Sequence, residues 1–179
     1  MSLQVFRTEQ RITRPLSEIF EFFSLAANLE RITPPWLSFT ILGDPPAQVV
    51  PGTVIPYRLR LHGLPLVWVS QIEQFEPERM FVDNQLIGPY KLWRHRHEFE
   101  ADGDHTVIRD EVQYELPFGA LGSLAHRLVV RRDLKRIFAY RRATIERLLL
   151  GEGPEELRTA APRSPGCASA RGSRYTARA

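Results

Sequence analysis

Cysteine is almost absent from this chain of 179 residues: Cys167 is the only one. No intrachain disulfide can form, and nothing in the cysteine usage asks for an oxidising compartment. Long apolar runs are missing too. They reach only a few residues, against the roughly 20 that a membrane-crossing helix needs, so no transmembrane segment is predicted. The opening residues, Met1-Ser2-Leu3-Gln4-Val5-Phe6-Arg7-Thr8, contain no apolar stretch followed by a small-residue cleavage site. No secretory signal is therefore predicted, and a cytoplasmic location is the default expectation. Acidic residues are missing from one end. Residues 158–179 carry Arg158, Arg163, Arg171, Arg174 and Arg178 and no acid, so the net charge of +3 divides into +5 there and −2 on residues 1–157. A slightly acidic domain offers no basic face to phosphate backbones, and no nucleic-acid partner is expected. There is no Gly-x-Ser-x-Gly elbow, no Walker loop and no dinucleotide fingerprint, and no cofactor is expected.

What is present is enough for one core. Hydrophobic residues make up 43% of the chain and charged residues 25%, an ordinary soluble balance. Residues 1–150 are predicted to form the domain. Residues 151–179 are rich in Arg, Ala, Pro and Ser with almost no large apolar side chain, and are expected to be a disordered tail. An arginine-rich arm touching nucleic acid or anionic lipid is the less favoured reading of that tail.

The periodicity changes along the domain. Residues 3–12 alternate and predict a first strand. Pro15 suits a first helical turn, and Leu16, Ile19, Phe20 and Phe23 then recur at helical spacing. A second short helix is predicted over 26–32, ended by Thr33-Pro34-Pro35. From Trp36 to Leu116 the period is two. Strands are predicted over 55–61, 66–74, 80–86, 92–100 and 106–116, separated by turn signals such as His62-Gly63 and Asp102-Gly103. After Pro117-Phe118-Gly119, the residues Leu121, Leu124, Leu128, Leu134, Ile137, Phe138, Ile145, Leu148 and Leu149 predict a helix running to about 150. At 1.5 Å per residue it would be roughly 45 Å long. The fold class is thus α+β: a strand, two short helices, about six antiparallel strands and a long helix. That helix is the one large cover available to the apolar face of the sheet, and a curved sheet gripping it is the predicted solution.

Polar residues sit on the inward parity of the last strands. Trp93, His95, His97, Asp110 and Tyr114 share it on two strands joined by one hairpin. A two-residue turn at Asp102-Gly103 would set His95 opposite Asp110; a loop from Asp102 to His105 would set His97 there. Either arrangement brings a carboxylate to an imidazole, which orients the ring, raises its pKa and suits a general base. Asp83 and Gln85 could join from the neighbouring strand, and Tyr114 could donate to a ligand oxygen. A satisfied structural His–Asp pair is the plainer reading. A zinc site on His95 and His97 is disfavoured, because a third and fourth ligand are unassigned and the domain has no cysteine. Trp68, Phe81, Trp93 and Phe99 are read as core or cavity wall. The basic cluster Arg127, Arg131, Arg132, Lys135 and Arg136 is read as a solvated helix face.

One string of residues is distinctive: Phe81-x-Asp83-x-Gln85-x-x-Gly88-Pro89-Tyr90-x-x-Trp93-x-His95-x-His97-x-Phe99. It continues as Thr106-x-x-x-Asp110-x-Val112-x-Tyr114-x-Leu116-Pro117 and Gly119-x-x-Gly122, with Ile32-Thr33-Pro34 before it and Ile137-Phe138-x-Tyr140-Arg141 after it. Over residues 1–150 the chain resembles the START and birch-pollen-allergen (SRPBCC) superfamily, in particular a bacterial ligand-binding group related to polyketide cyclase/dehydrase proteins. The resemblance implies a helix-grip fold of about six or seven strands and an internal cavity for a hydrophobic or aromatic molecule. The expected ligand is lipid, quinone or polyketide-like. The expected contacts are Trp68, Phe81, Asp83, Gln85, Trp93, Phe99, Val112 and Tyr114. A cyclase- or dehydratase-like enzyme using His95 or His97 with Asp110 is the alternative, and a protein-interaction or regulatory domain a further one.

Overall fold

A computed structural model describes residues 3–117 and 129–151. The elements follow in the predicted order. They are β1 (Gln4–Ile12), α1 (Leu16–Ser24), α2 (Asn28–Ile32), a 3₁₀ turn (Pro35–Leu37), β2 (Thr40–Ile41), β3 (Val54–Leu61), β4 (Leu64–Glu76), β5 (Met80–Ile87), β6 (Leu92–Asp102), β7 (His105–Glu115) and α3 (Arg131–Gly151). The strands form one antiparallel sheet in the order β1-β7-β6-β5-β4-β3-β2. Two register shifts between β4 and β5, at Val69/Ser70 and Ile72/Gln74, interrupt the ladder. Such bulges bend and twist a strand, which lets the sheet curve around a helix.

Turn chemistry fixes the registers. His62 and Gly63 both have positive φ, 52° and 82°, as a type I′ hairpin needs. At the β6–β7 hairpin Asp102 pairs with His105, so the turn is Gly103-Asp104 with Gly103 at φ 64°. The 102–105 loop is therefore the correct alternative, and His97 faces Asp110 directly.

The core has two parts. In the larger one α1 and the end of α3 press onto the sheet. Phe20 touches Phe75 and Phe99 with ring centroids 5.3 Å apart in both cases, and Ile145, Leu148 and Leu149 join them. In the smaller one Leu134 and Phe138 of α3 cover Val112 and Tyr114. Side chains of β1 and the chain just after it tie α3 down. Gln10 Nε2 donates to the Arg142 carbonyl at 2.9 Å, and Arg14 Nε to the Leu149 carbonyl at 2.7 Å.

The described part of α3 has 21 residues, about 32 Å. The expected helix positions Leu121, Leu124, Arg127 and Leu128, together with Phe118, Gly119 and Gly122, lie outside the described residues, as does the tail from 152 onward. Arg131, Arg132, Lys135 and Arg136 are exposed, as the solvated-face reading requires, with the Arg136 guanidinium 4.4 Å over the Trp36 ring. No helix among the described residues is long and apolar enough to cross a membrane.

Candidate functional site

Between the sheet, α1, α2 and α3 lies a cavity of ≈190 Å³. Its apolar walls come from Phe22 and Phe23 of α1, Leu29 of α2, Ile55 and Leu59 of β3, and Leu134, Ile137 and Phe138 of α3. Period-two strands put every second side chain on the concave face, so the inward row of each strand becomes a strip of wall.

One end is aromatic. Trp68 meets Tyr57, Tyr90 and Trp93 at centroid distances of 6.0, 5.6 and 5.2 Å. Two of their polar atoms are engaged by Ser70: Trp68 Nε1 donates to Ser70 Oγ at 3.1 Å, and the Tyr57 and Ser70 hydroxyls are 3.2 Å apart. Burial pushes the Tyr57 phenol far above its ordinary pKa, so it stays protonated.

The other feature is a box of charged and imidazole groups. Asp83 on β5 pairs across with His95 on β6, and His97 with Asp110 on β7, but the hydrogen bonds run along the diagonals. His95 Nε2 lies 2.9 Å from Asp110 Oδ1, and His97 Nε2 lies 3.2 Å from Asp83 Oδ2. His97 Nδ1 also comes within 2.9 Å of Asp110 Oδ1, yet its N–H is not aimed at that oxygen, and it makes no hydrogen bond among the described residues. The two imidazoles are 4% exposed and their centroids are 3.8 Å apart. Phe81 stacks on His97 at 4.2 Å, and Phe138 meets His95 edge-on at 5.6 Å.

The electrostatics separate the two rings. Burial works against a charged His97, but the Asp110 and Asp83 carboxylates outweigh it and raise the pKa. Burial and the neighbouring His97 together lower that of His95, which is therefore neutral. The expectation of a raised pKa thus holds for one histidine and fails for the other. Burial would raise both aspartates; the hydrogen bond from His97 at Asp83, and from His95 first at Asp110, reverses it and holds each carboxyl low. Arg141 of α3 lines the same cavity, adds to that effect at Asp83, and lies 5.3 Å over the Phe138 ring.

The structure brings six of the sequence-predicted residues to the cavity wall: Trp68, Phe81, Asp83, Trp93, His95 and His97. Asp110 stands behind the histidines, against a shallow depression beside Thr8, Gln10 and Arg142. Four expected contacts do not line the cavity. Phe99 is taken up by Phe20 and Phe23 of α1, and Val112 and Tyr114 by Leu134 and Phe138 of α3. Gln85 is turned to the β5–β6 loop, where its Nε2 donates to the Tyr90 carbonyl at 2.7 Å and its Oε1 accepts from the Tyr90 N–H at 3.3 Å. Gln85 thus positions Tyr90, which does line the cavity. Tyr57, Ser70, Tyr90 and Arg141 were not singled out, although Tyr90 and Arg141 lie in the quoted motifs and Ser70 shares its strand face with Trp68.

A Cβ on Gly88 would come within 2.2 Å of Gln85 Oε1. Gly88→Ala is therefore expected to expel the amide and break both bonds to Tyr90, lowering stability by about 1–3 kcal/mol. Urea unfolding and the tryptophan emission of the Trp68–Trp93 cluster would read it. An unchanged midpoint and spectrum would mean that Gln85 does not hold the loop.

Comparison with known proteins places this architecture. The fold matches norcoclaurine synthase from Thalictrum flavum in complex with dopamine and hydroxybenzaldehyde at 17% identity and TM-score 0.64, over 85% of this chain and 89% of that one. It matches Ara h 8.0201 at 16% identity and TM-score 0.59, over 84% and 100%. It matches protein Ms6760 from Mycobacterium smegmatis at 12% and 0.61, over 84% and 98%. At these identities the likeness concerns the fold. No curated protein matches the sequence. Residues 12–138 match the family described as polyketide cyclase / dehydrase and lipid transport, and the chain belongs to that family, within the SRPBCC superfamily.

Proposed function

We propose that this protein binds a hydrophobic or aromatic small molecule, of lipid, quinone or polyketide-like character, inside the cavity between sheet and α3. The observation that carries this is the cavity itself. A mostly apolar cavity with a few convergent polar groups on one wall is the usual form of a small-molecule site. Native mass spectrometry of the purified protein, followed by organic extraction, tests it. One apolar passenger per chain is expected, or stoichiometric uptake of a lipid, quinone or polyketide-like probe by the empty protein. Absence of both overturns the reading and leaves a protein-interaction or regulatory domain.

A second reading rests on the box of histidines and aspartates. Imidazoles on a cavity wall, held by carboxylates, are placed to take a proton from a carbonyl compound as a cyclase- or dehydratase-like enzyme would. Changing His95 and His97 together to Gln distinguishes the two. Lost turnover with retained binding supports catalysis; full retention of both refutes it.

A further inference from the structure

Two polar atoms of this site lie close together, His95 Nδ1 and Asp83 Oδ2, 3.7 Å apart. His95 directs Nε2 at Asp110 Oδ1, 2.9 Å away, which leaves Nδ1 as the ring nitrogen outside that bond. That nitrogen makes no hydrogen bond among the described residues. It lies 3.7 Å from Asp83 Oδ2, beyond hydrogen-bond reach. On the other side of the same oxygen stands His97 Nε2, at 3.2 Å. Two nitrogens and a carboxylate oxygen therefore converge at the cavity wall, and Asp83, His95 and His97 can each offer a donor with all three inside 4.8 Å.

We propose that Asp83, His95 and His97 bind a divalent first-row transition-metal ion, with its remaining coordination positions open to the cavity. Ligand arms of about 2.0–2.2 Å in tetrahedral array set donors about 3.4 Å apart; the two nitrogen–carboxylate edges, 3.2 and 3.7 Å, fall on either side of that spacing, and the nitrogen–nitrogen edge is within 4.8 Å. Two imidazoles and one carboxylate select ions such as Zn(II) or Fe(II) over Mg(II) or Ca(II), which prefer all-oxygen shells. Asp110 has the place of an outer partner. It is behind the wall and accepts from the far nitrogen of His95, which fixes that ring's tautomer and turns Nδ1 toward the metal position. Charge favours the same outcome. Asp83 and Asp110 bring two carboxylates to a closely packed group, and neither is hydrogen-bonded to Arg141, which lines the same cavity. A dication would neutralise the pair and face any oxygen that a bound ligand presents.

This proposal deepens the ligand-binding reading of the cavity and does not require it. The test is titration of the chelator-treated full chain with Co(II), followed by visible absorption, with Zn(II) competition and elemental analysis. One ion per chain is expected, with a Co(II) ligand-field band that Zn(II) abolishes. Asp83→Asn and His97→Ala are each expected to weaken binding by more than about 100-fold, and Asp110→Asn by about 10–100-fold. Cys167→Ser should leave the band unchanged. Far-UV circular dichroism checks that each variant is folded; Asp83→Asn keeps the test open if His97→Ala is not. No Co(II) band at millimolar metal, or binding that survives both Asp83→Asn and His97→Ala, overturns the proposal. Uptake of an apolar probe by the metal-free protein is measured in parallel. Metal binding can thus fail while cavity binding stands, or stand while it fails.

Discussion

Asp110→Ala in the metal-free protein is expected to lower the unfolding free energy by about 3–5 kcal/mol, the usual cost of removing one partner from a buried charged pair. The geometry explains why the effect is large. Asp110 Oδ1 is the acceptor for His95 Nε2 and lies 2.9 Å from His97 Nδ1, and both rings are almost wholly out of water. Without it, His95 keeps a buried donor with no partner, and His97 loses one of the two carboxylates that hold its pKa up. Urea unfolding followed by tryptophan emission measures the loss.

The informative companion removes the whole box: Asp83→Leu, His95→Phe, His97→Phe and Asp110→Leu together. Phenyl rings keep the contacts to Phe81 and Phe138 that the imidazoles make. Replacing a complete buried ionic group by apolar residues is often neutral or stabilising, by about 1–4 kcal/mol. The fourfold variant is expected to be at least as stable as the wild type while losing whatever the box does toward the cavity. Stability alone then gives no reason for four polar groups at this place, and their reason must be chemical or ligand-directed. If the single variant is as stable as the wild type, the carboxylate is not holding the rings. If the fourfold variant is far less stable than the wild type, the box is structural.

Strands β1, β4 and β6 were legible because buried and wetter positions alternate along them, whereas β5 and β7, with Met80–Val82 and Thr106–Ile108 buried in succession, were legible from the turn signals that bound them. The pairing of His97 with Asp110 was not, because it depends on whether the hairpin turns at 102–103 or 103–104, and a one-step change moves every partner. Inward parity likewise could not say which inward residues meet the cavity. Phe99, Val112 and Tyr114 all point inward, but α1 presses on the first and α3 on the other two, so the open space falls beside Phe81, Trp93 and the histidines. Which helix covers which inward residue leaves no periodic signal in the sequence. Arg141 is the same case: on a helix rich in arginine, only the docked orientation separates the residue facing the cavity from its solvated neighbours.

Ile137→Trp is expected to abolish ligand binding, by about 100-fold or more, with little loss of stability. Ile137 of α3 lines the cavity and belongs to none of the His–Asp contacts. An indole there would fill a substantial part of ≈190 Å³. Overpacking a dense core costs about 1–3 kcal/mol because neighbours must move, but an open cavity receives the added atoms without that displacement. The new contacts should offset part of the remaining strain, so the melting temperature is expected to stay level or rise. Affinity for an apolar probe, measured by displacement of an environment-sensitive dye, is expected to collapse in the same protein. This separation of binding from stability is what a cavity kept open for a guest predicts, since its walls forgo packing that the fold could otherwise have. Undiminished dye binding in a folded Ile137→Trp protein would place the guest elsewhere. A large loss of stability would mean that this space is already used by the chain's own side chains.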